Sequence, residues 1–243
     1  HDTFVKEAIS RCSYDGARIY MDTNPENPTH TVKTDYIDKD GQTLKNGQLN
    51  IRAFNFTLFD NEFLNEEYIE SIIASTPTGM FTQRDIYGTW VASEGVVYQD
   101  FDKDKNYIKD TKGIVFKKFV AGVDFGWEHH GSIVVLGKTI DDKYILLKEY
   151  AYKHKDIEYW CNIANDIISN YGNTNFYCYG ARPDCIKKMQ TKGIRAIAAD
   201  KSVLEGISTV ATLFKTGNLL VVEDEVDIFK QEVYNYVWAN GKD

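Results

Sequence analysis

The sequence is poor in cysteine, in long apolar runs and in surplus positive charge. Its four cysteines are irregularly spaced and form no CxxC pair, so they indicate neither a disulfide framework nor a zinc cage. Such sparse cysteine is typical of a reducing compartment. The longest apolar runs, such as residues 133–136, are far shorter than the roughly 20 residues of a membrane span, so no membrane partner is expected.

Basic residues are outnumbered, because 28 lysines and arginines face 36 aspartates and glutamates, for a net charge of -8. A protein that coats nucleic acid is normally basic, so this balance argues against that class. It does not argue against a nuclease, since carboxylates that bind metal ions add negative charge and contact with DNA can be local.

The remaining composition fits a globular protein of one large or two small domains. The chain has 243 residues, of which 43% are hydrophobic and 14% aromatic, enough to fill a sizeable core. Between residues 86 and 115 the composition shifts to short strand-like segments and a charged run. We therefore predict a first domain over residues 1–85, a linker over residues 86–115 and a second domain over residues 116–243.

The pattern of the second domain predicts an α/β fold with a mixed sheet. Apolar strands over residues 115–125, 131–136 and 144–152 are joined by short connections, which favours antiparallel pairing of neighbours. Helices then alternate with short strands, as in right-handed parallel crossovers. Three antiparallel strands followed by such crossovers give a mixed sheet flanked by helices, the order of elements in ribonuclease-H-like folds.

The first domain shows weaker patterns. Helices are predicted over residues 1–11 and 65–74, where apolar side chains recur at helical spacing. Residues 17–21 and 49–59 are rich in apolar and aromatic side chains and predict strands. The first of these strands runs into an Asp-Thr-Asn-Pro turn at residues 22–25.

Asp124 is the first candidate for chemistry. It lies on a predicted strand in the segment Ala-Gly-Val-Asp-Phe-Gly, residues 121–126, and shares its face with Gly122 and Gly126. A carboxylate on an apolar strand is costly unless it binds a metal, pairs with a cation or is hydrogen-bonded. The two glycines leave room for a bulky anion such as a phosphodiester. The alternative is an aspartate that caps the turn after the strand.

Other motifs carry weaker signals. The Asp-Phe-Gly triplet at residues 124–126 lacks the remaining protein-kinase motifs, and the Gly-Lys-Thr at residues 137–139 lacks the glycine that a P-loop needs at position 132. Glu149 shares the face of Leu147 on the third strand. It is either a second metal ligand that approaches Asp124 across the sheet or a solvated edge carboxylate.

Basic side chains cluster locally in the second domain. Such a patch either binds phosphates through counterion release or is an ordinary solvated face. Its members are Lys187, Lys188, Lys192, Arg195 and Lys201.

Together, several segments resemble the large terminase subunit of tailed phages and prophages, the ATP-driven motor that packages double-stranded DNA. The Met-Asp-Thr-Asn-Pro segment at residues 21–25 is similar to the family's ATPase coupling motif. Residues 121–126 are similar to the first nuclease strand with its metal-binding aspartate. Further similar segments are residues 56–61 near the end of the ATPase domain, 88–98 at the joint between domains, and 181–184 and 201–207 in the nuclease domain.

The resemblance implies a ribonuclease-H-like nuclease domain preceded by the C-terminal part of a P-loop-type ATPase domain. Thr23, Asn24 and Pro25 would couple ATP hydrolysis to movement, with ATP bound in the full-length protein. Asp124, with Glu149 as a weaker candidate, would hold two Mg²⁺ or Mn²⁺ ions for endonucleolytic cutting of concatemeric DNA. The implied partners are double-stranded DNA, the portal protein and the small terminase subunit, in the cytoplasm of the bacterial host.

Three features depart from the family's pattern. No Walker A or Walker B motif occurs in the sequence, and the family's last metal-binding aspartate is expected beyond residue 243. The family also carries an aspartate on the strand before Ala-Arg-Pro, where this chain has Tyr179. A phenol is a poor ligand for Mg²⁺ or Mn²⁺, so we expect reduced or absent cleavage unless Asp184 compensates.

Two other functions fit parts of the sequence. A DNA-binding or portal-docking module whose nuclease has decayed fits Tyr179. An actin-like or sugar-kinase-like ATPase also has an aspartate and glycines on its first strand, but it needs a second phosphate loop that this sequence lacks. Activity assays separate the three functions. Metal-dependent DNA cleavage would support the terminase nuclease, sugar-dependent loss of ATP the kinase-like ATPase, and neither activity the DNA-binding or portal-docking module.

Overall fold

The computed structural model describes residues 2–180 and 182–239. The chain divides into two compact units, one of residues 1–95 with 238–243 and one of residues 96–237. The division between the units lies inside the segment that the sequence predicts to be a linker.

The first unit is built from short helices and irregular segments. The helix predicted over residues 65–74 is present, and it begins where the Asn65 side chain accepts a hydrogen bond of 2.8 Å from the backbone N–H of Tyr68. The helices of the unit are α1 Asp2–Arg11, α2 Thr31–Asp35 and α3 Glu66–Ser75, with 3₁₀ turns at Ile37–Lys39 and Leu58–Asp60 and a π-helical turn at Thr82–Ile86.

The two strands predicted in the first unit are wrong. Residues 17–21 have no regular secondary structure, and residues 49–59 contain only a bridge from Leu49 to Thr43 and a 3₁₀ turn. A strand needs a neighbour for its backbone N–H and C=O groups. Among the described residues, residues 17–21 have no ladder partner, and residues 49–51 exchange backbone hydrogen bonds only with Gly41 and Gln42 beside the Thr43–Leu49 bridge. Their aromatic side chains, Tyr20 and Phe54 among them, are exposed.

The second unit is a seven-stranded sheet with helices, and its strand order is β1-β7-β4-β3-β2-β5-β6. The strands are β1 Tyr107–Ile108, β2 Phe116–Asp124, β3 Gly131–Thr139, β4 Tyr144–Tyr152, β5 Thr174–Cys178, β6 Ala196–Ala198 and β7 Leu219–Val222. The helices are α4 Lys103–Asn106, α5 Ile157–Tyr171, α6 Pro183–Thr191, α7 Val203–Lys215 and α8 Asp227–Glu232.

The pairing of these strands confirms the predicted topology. β2, β3 and β4 pair antiparallel with their sequence neighbours, and β5 and β6 then add in parallel beside β2. The five strands follow the order expected of a ribonuclease-H-like sheet. β7 and β1 extend the other edge in parallel.

Part of the segment predicted to be a linker belongs to this sheet. The strand Tyr107–Ile108 pairs with β7, and it is held there by Asn106 just before it. The buried Asn106 amide donates hydrogen bonds of 3.2 Å to the backbone carbonyls of Phe214 and Leu219. The sequence did not predict this strand, because two residues that follow a charged run show no periodicity to detect.

The helix α5 covers one face of the sheet. It begins at Asp156, whose carboxylate accepts a hydrogen bond of 2.9 Å from the N–H of Tyr159, and its apolar stripe is buried. Trp160 lies directly against Gly131, where an added Cβ would be 2.7 Å from Trp160 Cζ2. Together with α6, this helix packs on the side chains of β2, β3 and β5 that point to its face, such as Ala121 and Phe176.

The opposite face of the sheet is covered over β4 and β7 by a second apolar cluster that contains Phe101, Phe214 and Val226. Over β2, β5 and β6 the same face carries exposed side chains. We call this surface the open face, and it consists of Val120, Gly122, Asp124, Tyr177, Tyr179 and Ile197. The described residues contain no helix with the length and hydropathy to cross a membrane.

Candidate functional site

Asp124 is the last residue of β2 and lies at the end of the open face. Its side chain is exposed, and its Cα partner across the ladder is Ser132 on β3. Within residues 2–180 and 182–239 no hydrogen bond or ion pair engages its carboxylate. The alternative of an aspartate that caps the following turn is therefore not what the structure shows, and the group is available to a ligand.

The turn after Asp124 is tightly folded. A Cβ added to Gly126 would lie 2.6 Å from the backbone oxygen of His130 and 2.8 Å from the backbone nitrogen of Gly131. Only glycine permits such a close backbone approach. His129 is exposed and His130 half-buried in this turn. Gly126 therefore allows the turn that brings β3 back directly beside Asp124. The sequence predicted a different role for this glycine, that of leaving space for an anion.

Tyr179 lies beside Asp124 on the open face. The parallel ladder pairs Val123 with Cys178, and the N–H of Tyr179 continues it by donating a hydrogen bond of 2.9 Å to the carbonyl of Val123. Paired residues of neighbouring strands share a face and lie about 5 Å apart. The position that the sequence singled out as lacking an aspartate is thus next to Asp124, and its phenol is exposed.

Glu149 lies on the same face as Asp124 but far from it. The register joins Gly122 to Val134 and Val134 to Glu149, which places Glu149 two strands and two residues from Asp124, or about 12 Å between Cα atoms. Its Oε2 accepts hydrogen bonds from the N–H groups of Ile228, at 2.9 Å, and Phe229, at 3.2 Å.

The shared face of Glu149 and Leu147 predicted from sequence is wrong. The register between β3 and β4 shifts between the pairs Val135–Lys148 and Leu136–Leu146, so Leu147 is the extra residue of a bulge. A bulge reverses the alternation of side chains along a strand. Leu147 therefore joins the core under α5, whereas Glu149 binds the first turn of α8.

Glu149 makes the stability of the fold depend on pH. Burial raises the pKa of its carboxyl above the ordinary 4.5, while the hydrogen bonds from Phe229 and Ile228 oppose that shift. The native state then binds the proton more tightly than the unfolded chain, so the free energy of unfolding falls as pH rises above 4.5 through the native pKa. Glu149→Gln is expected to flatten this fall in urea unfolding at a series of pH values. An unchanged slope would contradict the assignment.

The described residues do not fit a pair of divalent ions. Residues 2–180 and 182–239 contain no group of three or more His, Cys, Asp or Glu side chains that could hold a metal. Asp184 does not compensate for Tyr179, because Arg182 holds its carboxylate with hydrogen bonds of 2.9 and 3.1 Å and lowers its pKa to about 2. Asp124 is one carboxylate, and two ions need several.

The predicted basic patch is divided by its ion pairs. Lys188 lies 2.9 Å from Glu158 on α5, and Lys192 pairs with the same carboxylate. Arg195 donates a hydrogen bond of 2.7 Å to Asn173 Oδ1, which leaves its charge in place. The side-chain ammonium groups of Lys187 and Lys201 are exposed, and the described part of the chain supplies neither of them with a hydrogen bond or an ion pair. Lys201 lies near Tyr179, because a Cβ on Gly180 would be 3.4 Å from Lys201 Cε.

The predicted coupling residues lie in the first unit, in a segment without regular secondary structure. Thr23 and Asn24 are exposed and Pro25 is half-buried. The Thr23 hydroxyl donates a hydrogen bond of 3.2 Å to the backbone carbonyl of Asn24.

Two residues of the open face were not identified from the sequence. Tyr177 pairs with Gly122 on one side and with Ile197 on the other, so an exposed aromatic ring borders the glycine next to Asp124. The alternation of buried and polar residues in residues 174–178 was a usable signal for Tyr177. The ladder partners of Tyr177 depend on the order of the strands in the sheet, and strand order cannot be predicted from a local sequence pattern.

Comparison with solved structures finds large terminases. The large terminase of a thermophilic bacteriophage, in complex with ATP-gamma-S, is 28% identical, with a TM-score of 0.82 over 98% of this chain and 60% of that chain. A second crystal form of the same phage protein gives a TM-score of 0.83 over 98% and 59% of the two chains, at 28% identity. Its complex with ADP gives 0.81 over the same shares, at 29% identity.

These similarities confirm the resemblance to large terminases and the fold class predicted from the sequence. This chain spans about three fifths of the length of that phage terminase in its solved structures. No protein-family model and no curated protein matches the sequence.

Proposed function

We propose that this chain is part of the large terminase subunit of a double-stranded DNA phage or prophage, which packages the genome with energy from ATP. The similarity in structure along 98% of the chain to a large terminase supports this proposal. In this role residues 1–85 are the C-terminal part of the ATPase domain, residues 86–115 connect the domains, and residues 116–243 belong to the nuclease domain. The protein acts in the cytoplasm of the bacterial host.

In the first unit, we assign Thr23, Asn24 and Pro25 to the coupling of ATP hydrolysis to movement. The absence of regular secondary structure in this segment and the exposure of Thr23 and Asn24 support this role, because within the described chain the Thr23 hydroxyl donates only to the neighbouring Asn24 carbonyl and can change partners. The ATP itself would be bound by the complete protein. The partners of that protein would be double-stranded DNA, the portal protein and the small terminase subunit.

In the second unit, Asp124 is the residue that we assign to endonucleolytic cutting of concatemeric DNA. The observation that carries this assignment is an exposed carboxylate with no partner in the described chain, at the end of a strand on the open face. In a complete site Mg²⁺ or Mn²⁺ would supply the activation of water and the stabilisation of the leaving oxygen. Because the described residues supply one carboxylate and a phenol, we infer that cutting by this chain is slow.

Exposed cations of the second unit support an interface with DNA. Lys187 and Lys201 are exposed without ion-pair partners in the described residues, and they are placed to neutralise phosphates. Lys188 and Lys192 share Glu158, so their charge is partly cancelled and they contribute less.

The second candidate function is a DNA-binding or portal-docking module without nuclease activity. Tyr179 beside Asp124 favours it, because the position that would supply the second metal ligand holds a phenol. An actin-like or sugar-kinase-like ATPase is not favoured, since the similarity to a large terminase extends over both units.

Assays of duplex binding and of plasmid cleavage in the presence of Mn²⁺ test the proposed function. The wild-type chain is expected to bind duplex DNA and to cut plasmid slowly, and Asp124→Asn is expected to abolish cutting while it raises duplex affinity about twofold to fivefold by removing a negative charge. Asp166→Asn, an exposed aspartate on α5, is the matched control and is expected to cut as the wild type does. Cutting that survives Asp124→Asn would refute the site.

The same assay separates the alternatives. Duplex binding without any cutting by the wild type would support the DNA-binding module. Sugar-dependent loss of ATP would support the kinase-like function and refute the terminase assignment.

A further inference from the structure

The strongest unassigned feature is a cavity of about 340 Å³ at the amino ends of β2, β5 and β6. We call it the amino-end cavity, because Asp124 lies at the opposite end of the same strands. Its polar lining consists of Lys117, Lys118, Asn173, Asn175 and Arg195. The described residues that line it include three cations and no carboxylate, in a chain whose net charge is -8. This composition indicates an anion site.

The amides of the cavity position a cation without neutralising it. Arg195 Nη1 donates a hydrogen bond of 2.7 Å to Asn173 Oδ1, so a neutral acceptor holds the guanidinium group in place. Lys118 is exposed and has no ion-pair partner among the described residues. Both groups therefore retain a full positive charge for a ligand.

Lys117 keeps part of its charge as well. Asp142 Oδ1 lies 2.6 Å from Lys117 Nζ and 2.8 Å from Lys138 Nζ, and these two ammonium groups lower the pKa of Asp142 to about 2. One carboxylate shared between two ammonium groups leaves one positive charge uncompensated. The ion pair also fixes the Lys117 side chain at the rim of the cavity.

The position of the cavity relates it to the site at Asp124. Lys118 and Asp124 are six residues apart on β2, which is about 20 Å at about 3.3 Å per residue. That separation equals the rise of about six base pairs, at about 3.4 Å each, along the axis of a DNA duplex. The open face, with Tyr177 and Ile197, occupies the distance between the two sites.

We propose that the amino-end cavity binds a backbone phosphate of double-stranded DNA and anchors the duplex about six base pairs, measured along its axis, from Asp124. The proposal rests on the proposed function, because it takes DNA as the substrate. It adds Lys118 as a DNA-binding residue and gives Arg195 a defined role. Both side chains would contact the phosphate, and neither would take part in cutting.

Fluorescence anisotropy with a labelled duplex, at several salt concentrations, tests the proposal on the chain. The double variant Lys118→Glu and Arg195→Glu is expected to raise Kd about tenfold, and to reduce the magnitude of the slope of log K against log salt by about 1, since the loss of one phosphate contact removes about 0.9. The milder pair Lys118→Gln and Arg195→Gln is expected to change Kd in the same direction. Circular dichroism checks that the variants are folded.

Lys103→Glu is the matched control, because Lys103 is exposed on α4 beside β7, at the far side of the sheet. It is expected to leave the salt slope unchanged. A double variant that binds as Lys103→Glu does would overturn the proposal while leaving the terminase assignment intact. Wild-type protein that binds no duplex would refute the assignment and this proposal together. Inorganic phosphate that binds the wild-type chain at millimolar concentration but leaves its affinity for the duplex unchanged, at constant ionic strength, would assign the cavity to free phosphate and overturn the proposal.

Discussion

Tyr179→Asp is expected to raise the affinity of this chain for Mn²⁺ by about tenfold or more, because affinity for hard cations increases with the number of carboxylate ligands. The substitution places a second carboxylate about 5 Å from Asp124 on the neighbouring strand. Without metal, the two like charges repel and the variant should unfold at a lower temperature than the wild type. Added Mn²⁺ should restore that temperature. Titration calorimetry and thermal unfolding measure the two effects.

Tyr177→Asp is the matched control for this prediction. Tyr177 is an exposed tyrosine on the same strand and the same face, but its ladder partner is Gly122 rather than Asp124. Its carboxylate would lie two residues farther along the strand, out of reach of a shared ion. Equal gains in Mn²⁺ affinity from both variants would show that general negative charge, and not the pairing with Asp124, attracts the metal.

Cutting should follow metal affinity. In the proposed nuclease, Tyr179→Asp is expected to raise Mn²⁺-dependent cleavage of plasmid DNA above the slow wild-type rate, and Tyr177→Asp is not. A gain in metal affinity without any gain in cleavage would support the DNA-binding module instead.

Gly131→Ala is expected to destabilise the second unit by about 3 kcal/mol, which lowers its Tm by about 10 °C. The added Cβ would lie 2.7 Å from Trp160 Cζ2, 2.9 Å from the backbone oxygen of Gly126 and 3.0 Å from its nitrogen. Trp160 is fully buried and the other contacts are backbone, so nothing nearby moves without cost. Chemical and thermal unfolding measure the loss.

Gly206→Ala is the control for the general effect of this substitution. Gly206 is exposed on α7, and a Cβ there would meet no atom within 4 Å. Alanine is the better helix former, so this variant is expected to be more stable than the wild type by about 0.5–1 kcal/mol. A loss from Gly131→Ala of no more than about 0.5 kcal/mol would contradict the close packing of Trp160 on the turn after Asp124.

The second unit was largely predictable from the sequence because its signals are local. The predicted strand over residues 144–152 coincides with β4, and apolar side chains at helical spacing, Ile157, Trp160 and Ile167 among them, predicted α5. The short connections between β2, β3 and β4 fixed their antiparallel pairing. In the first unit, residues 17–21 and 49–59 have the composition of strands, but a strand forms only where a partner lies beside it.

The candidate site was predictable only in part. Asp124 was identified by its glycine neighbours, and the family resemblance identified Tyr179. The separation of Glu149 from Asp124 depends on the order of three strands and on a bulge at Leu147, and neither has a local signature. The amino-end cavity brings together residues from β2, the start of β5 and the start of β6, so it exists only after the sheet has formed.

The contact between Trp160 and Gly131 also supplies a natural optical probe. The indole is enclosed beneath the glycine that closes the loop behind Asp124, and its Nε1 has no hydrogen-bond partner in the described chain. An indole in such dry surroundings emits at short wavelengths, and a small displacement of that loop would admit a polar neighbour and redden the emission. In a variant whose other three tryptophans, Trp90, Trp127 and Trp238, are replaced by phenylalanine, the fluorescence of Trp160 can therefore report, without any label, when a ligand engages the acidic end of the sheet.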